Sequence, residues 1–350
     1  MKQLILLAGL HKTATTSIQR TCAANQRELF QAGFAYPTLA SPGDAGGSNH
    51  TTILNWFRHD PASAGLMGQY KWATAPLGDG AAFLAGFARS LDKLPDHLLM
   101  AAEGVSLFSA QELEGMKAWF AERGWEIRVM CHVRHLSGWM NSMIAQRVTS
   151  AICLSIGQAV EEYRQYQSVV RRRIETVRQV FPQADFYSYE QAARHRAGPA
   201  GFFLDNAGVH LFSPLRVVRA NEGGSDSATR VLSLVNERFG RFEDSGKLNG
   251  KFFGDRAFID SVRRIAGPKF TLRPAEAAPI LQLLQADNDW LRATFGDAFH
   301  DERLQFDEAP AGWTPEGLTQ LQAALATATA PVRDWVASNL PRIGLQPPPR

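Results

Sequence analysis

The stretch Leu4-Ile5-Leu6-Leu7-Ala8-Gly9-Leu10-His11-Lys12-Thr13-Ala14-Thr15-Thr16-Ser17-Ile18-Gln19 decides how this chain folds. Its apolar run, Leu4 to Leu7, reads as a buried strand, and the hydroxyl-rich turn before helix-forming residues reads as a helix N-terminus. A strand that turns straight into a helix makes an anion site, because free backbone N–H groups and the positive end of the helix dipole converge there. Lys12 adds a full charge, and Thr13, Thr15, Thr16 and Ser17 add hydroxyl donors. Phosphate or sulfate is the natural occupant, since these are more donors than helix capping requires.

The P-loop of nucleoside triphosphatases needs four residues between its first glycine and a Gly-Lys-Ser/Thr end. Gly9 is followed at once by Leu10, His11 and Lys12, so that spacing fails. Working outward, Ile127-Arg128-Val129-Met130-Cys131-His132-Val133 reads as a second strand, followed by Arg134 and, eight positions later, Ser142. An arginine fork grips a phosphate through two parallel charge-assisted bonds, and a hydroxyl in the following helix completes such a cradle.

Together these two segments resemble the sulfotransferases that use 3′-phosphoadenosine 5′-phosphosulfate (PAPS), especially bacterial members whose 5′-phosphosulfate loop reads His-Lys-Thr-Gly-Thr-Thr-Ser. His11 to Ser17 match that loop at all but one position, Ala14 standing where glycine is usual. Ala14 must therefore either keep φ below zero or carry strain. The resemblance implies that His11, Lys12, Thr13, Ala14, Thr15, Thr16 and Ser17 hold the 5′-phosphosulfate, and that Arg134 and Ser142 hold the 3′-phosphate. Softer likenesses are Gly33 to Pro37 as second strand, Leu98 to Glu103 as third, Phe186 to Glu190 as fourth, and Arg219-Ala220-Asn221-Glu222. The resemblance spans roughly residues 1 to 240 and is faint beyond.

Strands alternating with helical stretches argue for an α/β fold, a parallel sheet flanked by helices, which the resemblance specifies as the P-loop-like sulfotransferase fold. Expected helices include Thr16 to Ala32, Gln111 to Arg123, Gly138 to Arg147 and Gly157 to Phe181, the last with an apolar stripe of core character. From Asn221 the pattern is helical: Ser227 to Phe239, Asp255 to Ile265, Pro274 to Phe295 and Thr314 to Ala337. The expected organisation is a PAPS-binding core over 1–240 and a helical extension over 241–350 packed on it.

The chain has 350 residues, 45% of them hydrophobic, enough for a full core. Its formal charge of +3 suits an anionic donor and shows no block of the kind that binds nucleic acid. Three cysteines without a Cys-x-x-Cys pair suggest neither a disulfide framework nor a zinc site, and point to a reducing cytoplasm. The apolar N-terminus is strand-length and leads into the anion loop, unlike a signal peptide or membrane span.

The expected reaction is in-line sulfuryl transfer from PAPS to a hydroxyl or amine, with Lys12 meeting charge on the leaving oxygen and no metal required. Two residues qualify as the base. His50 sits at the end of the Thr38 to Asn49 loop, with Gly46 and Gly47 as hinges, and titrates near neutrality. Glu103 ends the third strand, at the sheet edge where open α/β proteins bind ligands. The resemblance allows either. A carbohydrate or glycolipid acceptor is implied by the bacterial relatives, with Trp56, Trp72, Trp139 and Trp290 as stacking candidates. Two other classes fit an anion loop on a parallel sheet: a nucleotide-dependent P-loop kinase, and a non-catalytic module binding nucleotide or glycan.

Overall fold

The computed structural model describes residues 2–38, 49–58, 80–150, 153–164, 169–220, 224–239, 256–304, 306 and 313–345. The expected loop hinges Gly46 and Gly47, Trp72, the Asn221-Glu222 pair and residues 240–255 lie outside these residues.

Five strands form one all-parallel sheet: β1 (Lys2–Leu7), β2 (Phe34–Ala35), β3 (His97–Ala101), β4 (Trp125–Val133) and β5 (Asp185–Ser188), in the order β2-β3-β1-β4-β5. β1 is central, with Leu4 opposite Leu98 of β3 on one side and Ile127 of β4 on the other. Because side chains alternate along a strand, its residues supply two separate cores. Leu4, Leu6 and Ala8 face one cluster with Met116, Phe120 and Val177, while Ile5 and Leu7 face another with Ile18, Cys22 and Phe203. Burial on both faces explains why β1 reads as an unbroken apolar run.

This strand order sends the chain to opposite sides after β1 and after β4. The carboxyl ends of β1, β3 and β4 therefore border a crevice of the kind in which open α/β sheets bind ligands.

The chain groups into two compact units. The first comprises Met1–His135, Val169–Asn221 and Leu291–Phe299 and contains every strand of the sheet. The second comprises Leu136–Ser168, Glu222–Trp290 and His300–Arg350, and its regular elements are helices apart from a single antiparallel bridge between Ser225 and Lys269. The units interleave along the sequence, and the expected boundary at residue 240 lies outside the described residues.

Several helices differ from expectation in one respect, a break. Thr16 to Ala32 is two helices, α1 (Thr15–Ala24) and α2 (Gln26–Gln31). Asn25 makes the break: its Nδ2 donates to the Thr21 carbonyl at 2.7 Å, replacing the backbone bond that would have continued the helix. Thr314 to Ala337 divides into Pro315–Thr327 and Ala330–Asn339, because Pro331 cannot donate to Thr327 and its ring would clash there. Gly157 to Phe181 is described as Ile156–Arg164 in the second unit and Val169–Val180 in the first.

Among the described residues no helix is long and apolar enough to cross a membrane. All three cysteines are buried and none is in a disulfide. Burial pushes the Cys22 and Cys131 thiols up to about 12, so these two are inert core side chains at neutral pH.

Candidate anion-binding site

The loop after β1 is held down by β4. The Ala8 N–H donates to the Met130 carbonyl at 2.9 Å and the Leu10 N–H to His132 at 3.4 Å, extending the ladder past the strand's end. Thr13 Oγ1 then donates to the Leu10 carbonyl at 2.6 Å and closes the turn. A Cβ at Gly9 would lie 3.0 Å from Thr13 Oγ1 and 3.5 Å from the His132 nitrogen, so a side chain there would crowd this closure.

The turn needs left-handed backbone at two non-glycine residues, Lys12 with φ 69° and Ala14 with φ 61°. Thr13 between them keeps negative φ, and such alternation curls backbone N–H groups into an anion-binding concavity. Of the two options open to Ala14, the structure takes the strained one, at roughly 1–2 kcal/mol for a Cβ in this region. Ala14 is also the residue that precedes α1, and no side chain caps the helix. The first-turn N–H groups thus point into the concavity without a side-chain oxygen on them.

Four hydroxyls were expected at this anion site, and they divide. Thr15 is 2% exposed and its Oγ1 has no hydrogen-bond partner. Leaving a buried hydroxyl unmade costs about 1–3 kcal/mol, which an incoming acceptor would recover. Thr13 spends its hydroxyl on Leu10, and Thr16 and His11 are half-buried on the loop. Ser17 turns elsewhere: its Oγ accepts from the Ala220 N–H at 3.0 Å and donates to the Ala220 carbonyl at 3.2 Å. Thr21 Oγ1 likewise accepts from Val218 N–H, and Asn25 Oδ1 from Arg216 N–H, both at 3.0 Å. Every fourth helical residue advances about 6 Å and every second extended residue about 6.6 Å, so α1 binds residues 216–220 in register.

Lys12, Glu103 and Arg134 converge at the carboxyl ends of β1, β3 and β4. Arg134 follows β4 directly, its Nη1 donates to the Lys12 carbonyl at 3.2 Å, and its guanidinium lies 5.2 Å from the Tyr189 ring centroid. The remaining N–H donors of that fork are uncommitted among the described residues. Burial lowers the Lys12 pKa below its ordinary value; the Glu103 charge opposes this and the Arg134 charge adds to it. The half-buried Lys12 ammonium forms no hydrogen bond or ion pair with a described residue, and the Glu103 charge compensates it only through space.

Glu103 lies two residues past β3, at the start of a 3-10 turn over Glu103–Leu107. Its carbonyl accepts from Ser106 Oγ at 2.8 Å, while its half-exposed carboxylate has no bond to a described residue. Gly104 keeps the turn tight, since a Cβ there would overlap Thr51 at the start of the helix Thr51–Leu54.

His50 occupies a different post from the one expected of a base. It is fully buried, its Nδ1 accepts from the Ala101 N–H at 2.9 Å, and its Nε2 lies 2.7 Å from the Pro37 carbonyl. Nδ1 accepts, so Nε2 carries the proton and donates; both nitrogens are committed. His50 thus terminates β3, helped by Gln19, whose Nε2 donates to the Ala101 carbonyl at 2.9 Å and to Asn49 Oδ1 at 3.1 Å.

Two residues not singled out in the sequence border the site. Tyr189 offers its ring to Arg134, and its position at the end of β5 was a signal available in the sequence. His132 carries no such signal: it is fully buried on β4 against Tyr187 and Phe202 and lies beside the Thr13 backbone, which favours the charged ring, but burial outweighs this and lowers its pKa to about 4. Ser142 belongs to the second unit, in the helix Leu136–Thr149, where it is half-buried and its hydroxyl bonds to no described residue. Of the tryptophans, Trp139 is a core residue, 2% exposed and edge-on to Tyr163, while Trp56 and Trp290 are half-buried. Among the described residues no group of three or more His, Cys, Asp or Glu side chains is placed to hold a metal ion.

Comparison with protein-family models, with curated proteins and with solved structures found no match to this chain.

Proposed function

We propose that this protein is a PAPS-dependent sulfotransferase, with a carbohydrate or glycolipid hydroxyl, or an amine, as acceptor. The observation that carries the reading is the pair of cationic groups at adjacent strand ends, Lys12 in its concavity and Arg134 beside it, with an orphaned Thr15 hydroxyl between strand and helix. A nucleotide charged at both ends, a 5′-phosphosulfate and a 3′-phosphate, satisfies this donor set. The loop sequence His11 to Ser17, read by its resemblance, assigns the 5′ end to Lys12 and Thr15 and the 3′ end to Arg134. Ser142 joins the 3′ end on sequence spacing alone.

Bound PAPS would supply an activated sulfuryl group whose departure leaves negative charge on the bridging phosphate oxygen. The new bond is from the acceptor oxygen or nitrogen to sulfur, and the bond that breaks is from sulfur to that bridging oxygen. Lys12 and the first-turn N–H groups of α1 stabilise the charge as it develops, and a preorganised donor of this kind is worth about 2.7–4 kcal/mol in the barrier. Glu103 takes the acceptor proton, because its carboxylate is unbonded and lies at the same strand ends, whereas His50 has no nitrogen to offer.

The test is direct. Incubation with PAPS and a panel of glycans and phenols should transfer sulfate to at least one acceptor without added metal, and calorimetry should show 3′-phosphoadenosine 5′-phosphate bound in preference to ATP. Preference for ATP, or binding abolished by a chelator, would favour the kinase reading instead.

A further inference from the structure

The second unit contains a cavity of about 300 Å³ that the sulfotransferase reading does not use, lined by residues of the helices Ile156–Arg164, Asp226–Arg238 and Pro274–Phe295 together with Arg273, Arg342 and Ile343. Its wall is part apolar, from Val160, Leu234 and Ile343, and part charged. Most of the charge is already paired. Arg230, buried, binds Asp226 at 2.9 Å, Glu276 at 2.8 Å and the Thr271 carbonyl at 3.0 Å. Arg342 binds Glu237 at 2.8 Å, and Glu161 is taken by Arg164 at 2.7 Å.

Arg273 differs. Its backbone N–H donates to Glu276 at 2.8 Å, and its charge acts through space on Asp226, but its guanidinium makes no hydrogen bond or short ion pair with a described residue, and its Nε is sealed from solvent without a partner. An always-charged group with a buried, unmade donor calls for an anionic acceptor. The volume is that of a small ligand pocket, and the mixed wall matches a molecule with one charged end and one apolar end.

We propose that this cavity is a second ligand site, selective for a small monoanion with an apolar body, such as a ring-bearing carboxylate, with Arg273 as its anchor. A bare inorganic anion would leave the apolar wall wet, and a neutral ring would leave Arg273 unpaired. Both should bind worse than a molecule that has the two parts.

Gly157 provides a control that does not depend on Arg273. It lies exposed on the cavity wall within a helix, and a Cβ built there meets nothing within 4 Å, so Gly157→Leu adds bulk at the cavity's edge without a Cβ clash. The same change improves helix propensity, and the variant should melt no lower than the parent.

Calorimetric titration of the full chain with benzoate, benzamide and inorganic sulfate tests the site. Benzoate should bind at least tenfold more tightly than the other two. Arg273→Gln and Gly157→Leu should each weaken benzoate at least tenfold while keeping the parent's affinity for 3′-phosphoadenosine 5′-phosphate. Lys12→Ala should leave benzoate binding unchanged, which separates this cavity from the anion loop and from the donor reading. Failure of benzoate to bind, sulfate binding as tightly, or equal benzoate affinity in the parent and in either cavity variant would overturn the proposal.

Discussion

Arg134 holds the Lys12 carbonyl at 3.2 Å, so the residue that closes β4 also supports the loop that closes β1. The two cations are therefore linked through backbone as well as through charge, and the Arg134 charge adds to burial in disfavouring proton retention by Lys12, with the Glu103 charge opposing both. An anion at this site relieves that repulsion, and the loop geometry and its ligand stabilise one another.

Replacing Arg134 with alanine should weaken binding of 3′-phosphoadenosine 5′-phosphate by roughly 10- to 100-fold, the scale of one or two charge-assisted hydrogen bonds. Turnover at saturating donor should fall much less, because a ground-state contact to the 3′-phosphate is made equally in the transition state. Arg134→Lys should recover only part of the affinity, since a point charge does not reproduce the fork or its stacking on Tyr189. Calorimetry and steady-state kinetics on the two variants check this, and equal losses in turnover and affinity would contradict it.

Lys12 should govern turnover and also proton uptake. Lys12→Ala should cost about 10²- to 10³-fold in turnover, the usual effect of removing one donor to developing charge. Its pKa is lowered in the free protein, chiefly by burial, and a bound dianion favours the charged form. Below the lowered pKa the ammonium is already charged and affinity is complete. As pH rises through it, binding must take up a proton, and affinity falls. Calorimetry of the desulfated product in buffers of different ionisation enthalpy should reveal this uptake on the alkaline side, and its absence from Lys12→Ala.

Much of this arrangement was legible in the sequence. The unbroken run Leu4 to Leu7 marked a strand buried on both faces, and the residues of the Lys12 loop and Arg134 stand at adjacent strand ends. What sequence left open lies in tertiary hydrogen bonding. A histidine beside a loop looks the same whether its nitrogens are free or spent on Ala101 and Pro37, and nothing local distinguishes Ser17 facing an anion from Ser17 facing Ala220, 203 residues away. Asn25 is similar: the side chain that breaks the first helix through Thr21 also bonds to Arg216, 191 residues away. The burial of His132 follows from helix Gly198–Asn206 covering β4, which no pattern within β4 encodes.

Ala14→Gly should stabilise the protein. A Cβ at φ 61° costs roughly 1–2 kcal/mol, while glycine adds about 0.4–1 kcal/mol of unfolded-state entropy. The net gain should be near 0.5–1 kcal/mol in urea unfolding, with donor-product affinity retained. Ala14→Val should do the opposite, because a β-branched residue tolerates left-handed backbone worst. A stability lower for glycine than for alanine would show that the strain reading is wrong.

His132 should make the fold acid-sensitive. Burial lowers its pKa to about 4 from an ordinary 6.5, so between these values the unfolded chain binds a proton that the folded chain does not. Stability contributed by the neutral ring is complete above pH 6.5, is lost as pH falls towards 4, and changes no further below it. The loss is on the order of 3 kcal/mol for a shift of this size. His132→Leu, apolar among Tyr187 and Phe202, should remove most of that slope, as read from urea midpoints across this pH range.

The base is where two residues of similar promise in the sequence separate in the structure. Glu103→Gln keeps the shape of a carboxylate that hydrogen-bonds to no described residue, so the fold should be unchanged and donor-product binding retained. The lost Glu103 charge should shift that affinity only modestly, because it both repels the dianion and supports the Lys12 ammonium, whereas turnover should fall by about 10²- to 10⁴-fold, the scale of general acid–base catalysis. His50→Asn should behave in the reverse way. It removes an acceptor from the Ala101 N–H and a donor to the Pro37 carbonyl at a fully buried position, and each unmade bond costs about 1–3 kcal/mol. Melting temperature should drop, while turnover per folded molecule, measured below the transition and normalised to donor-product binding sites, should stay near the parent's. A His50→Asn variant that folds normally and loses the full factor, beside a Glu103→Gln variant that works, would move the base to the end of β3's cap and overturn the assignment to Glu103.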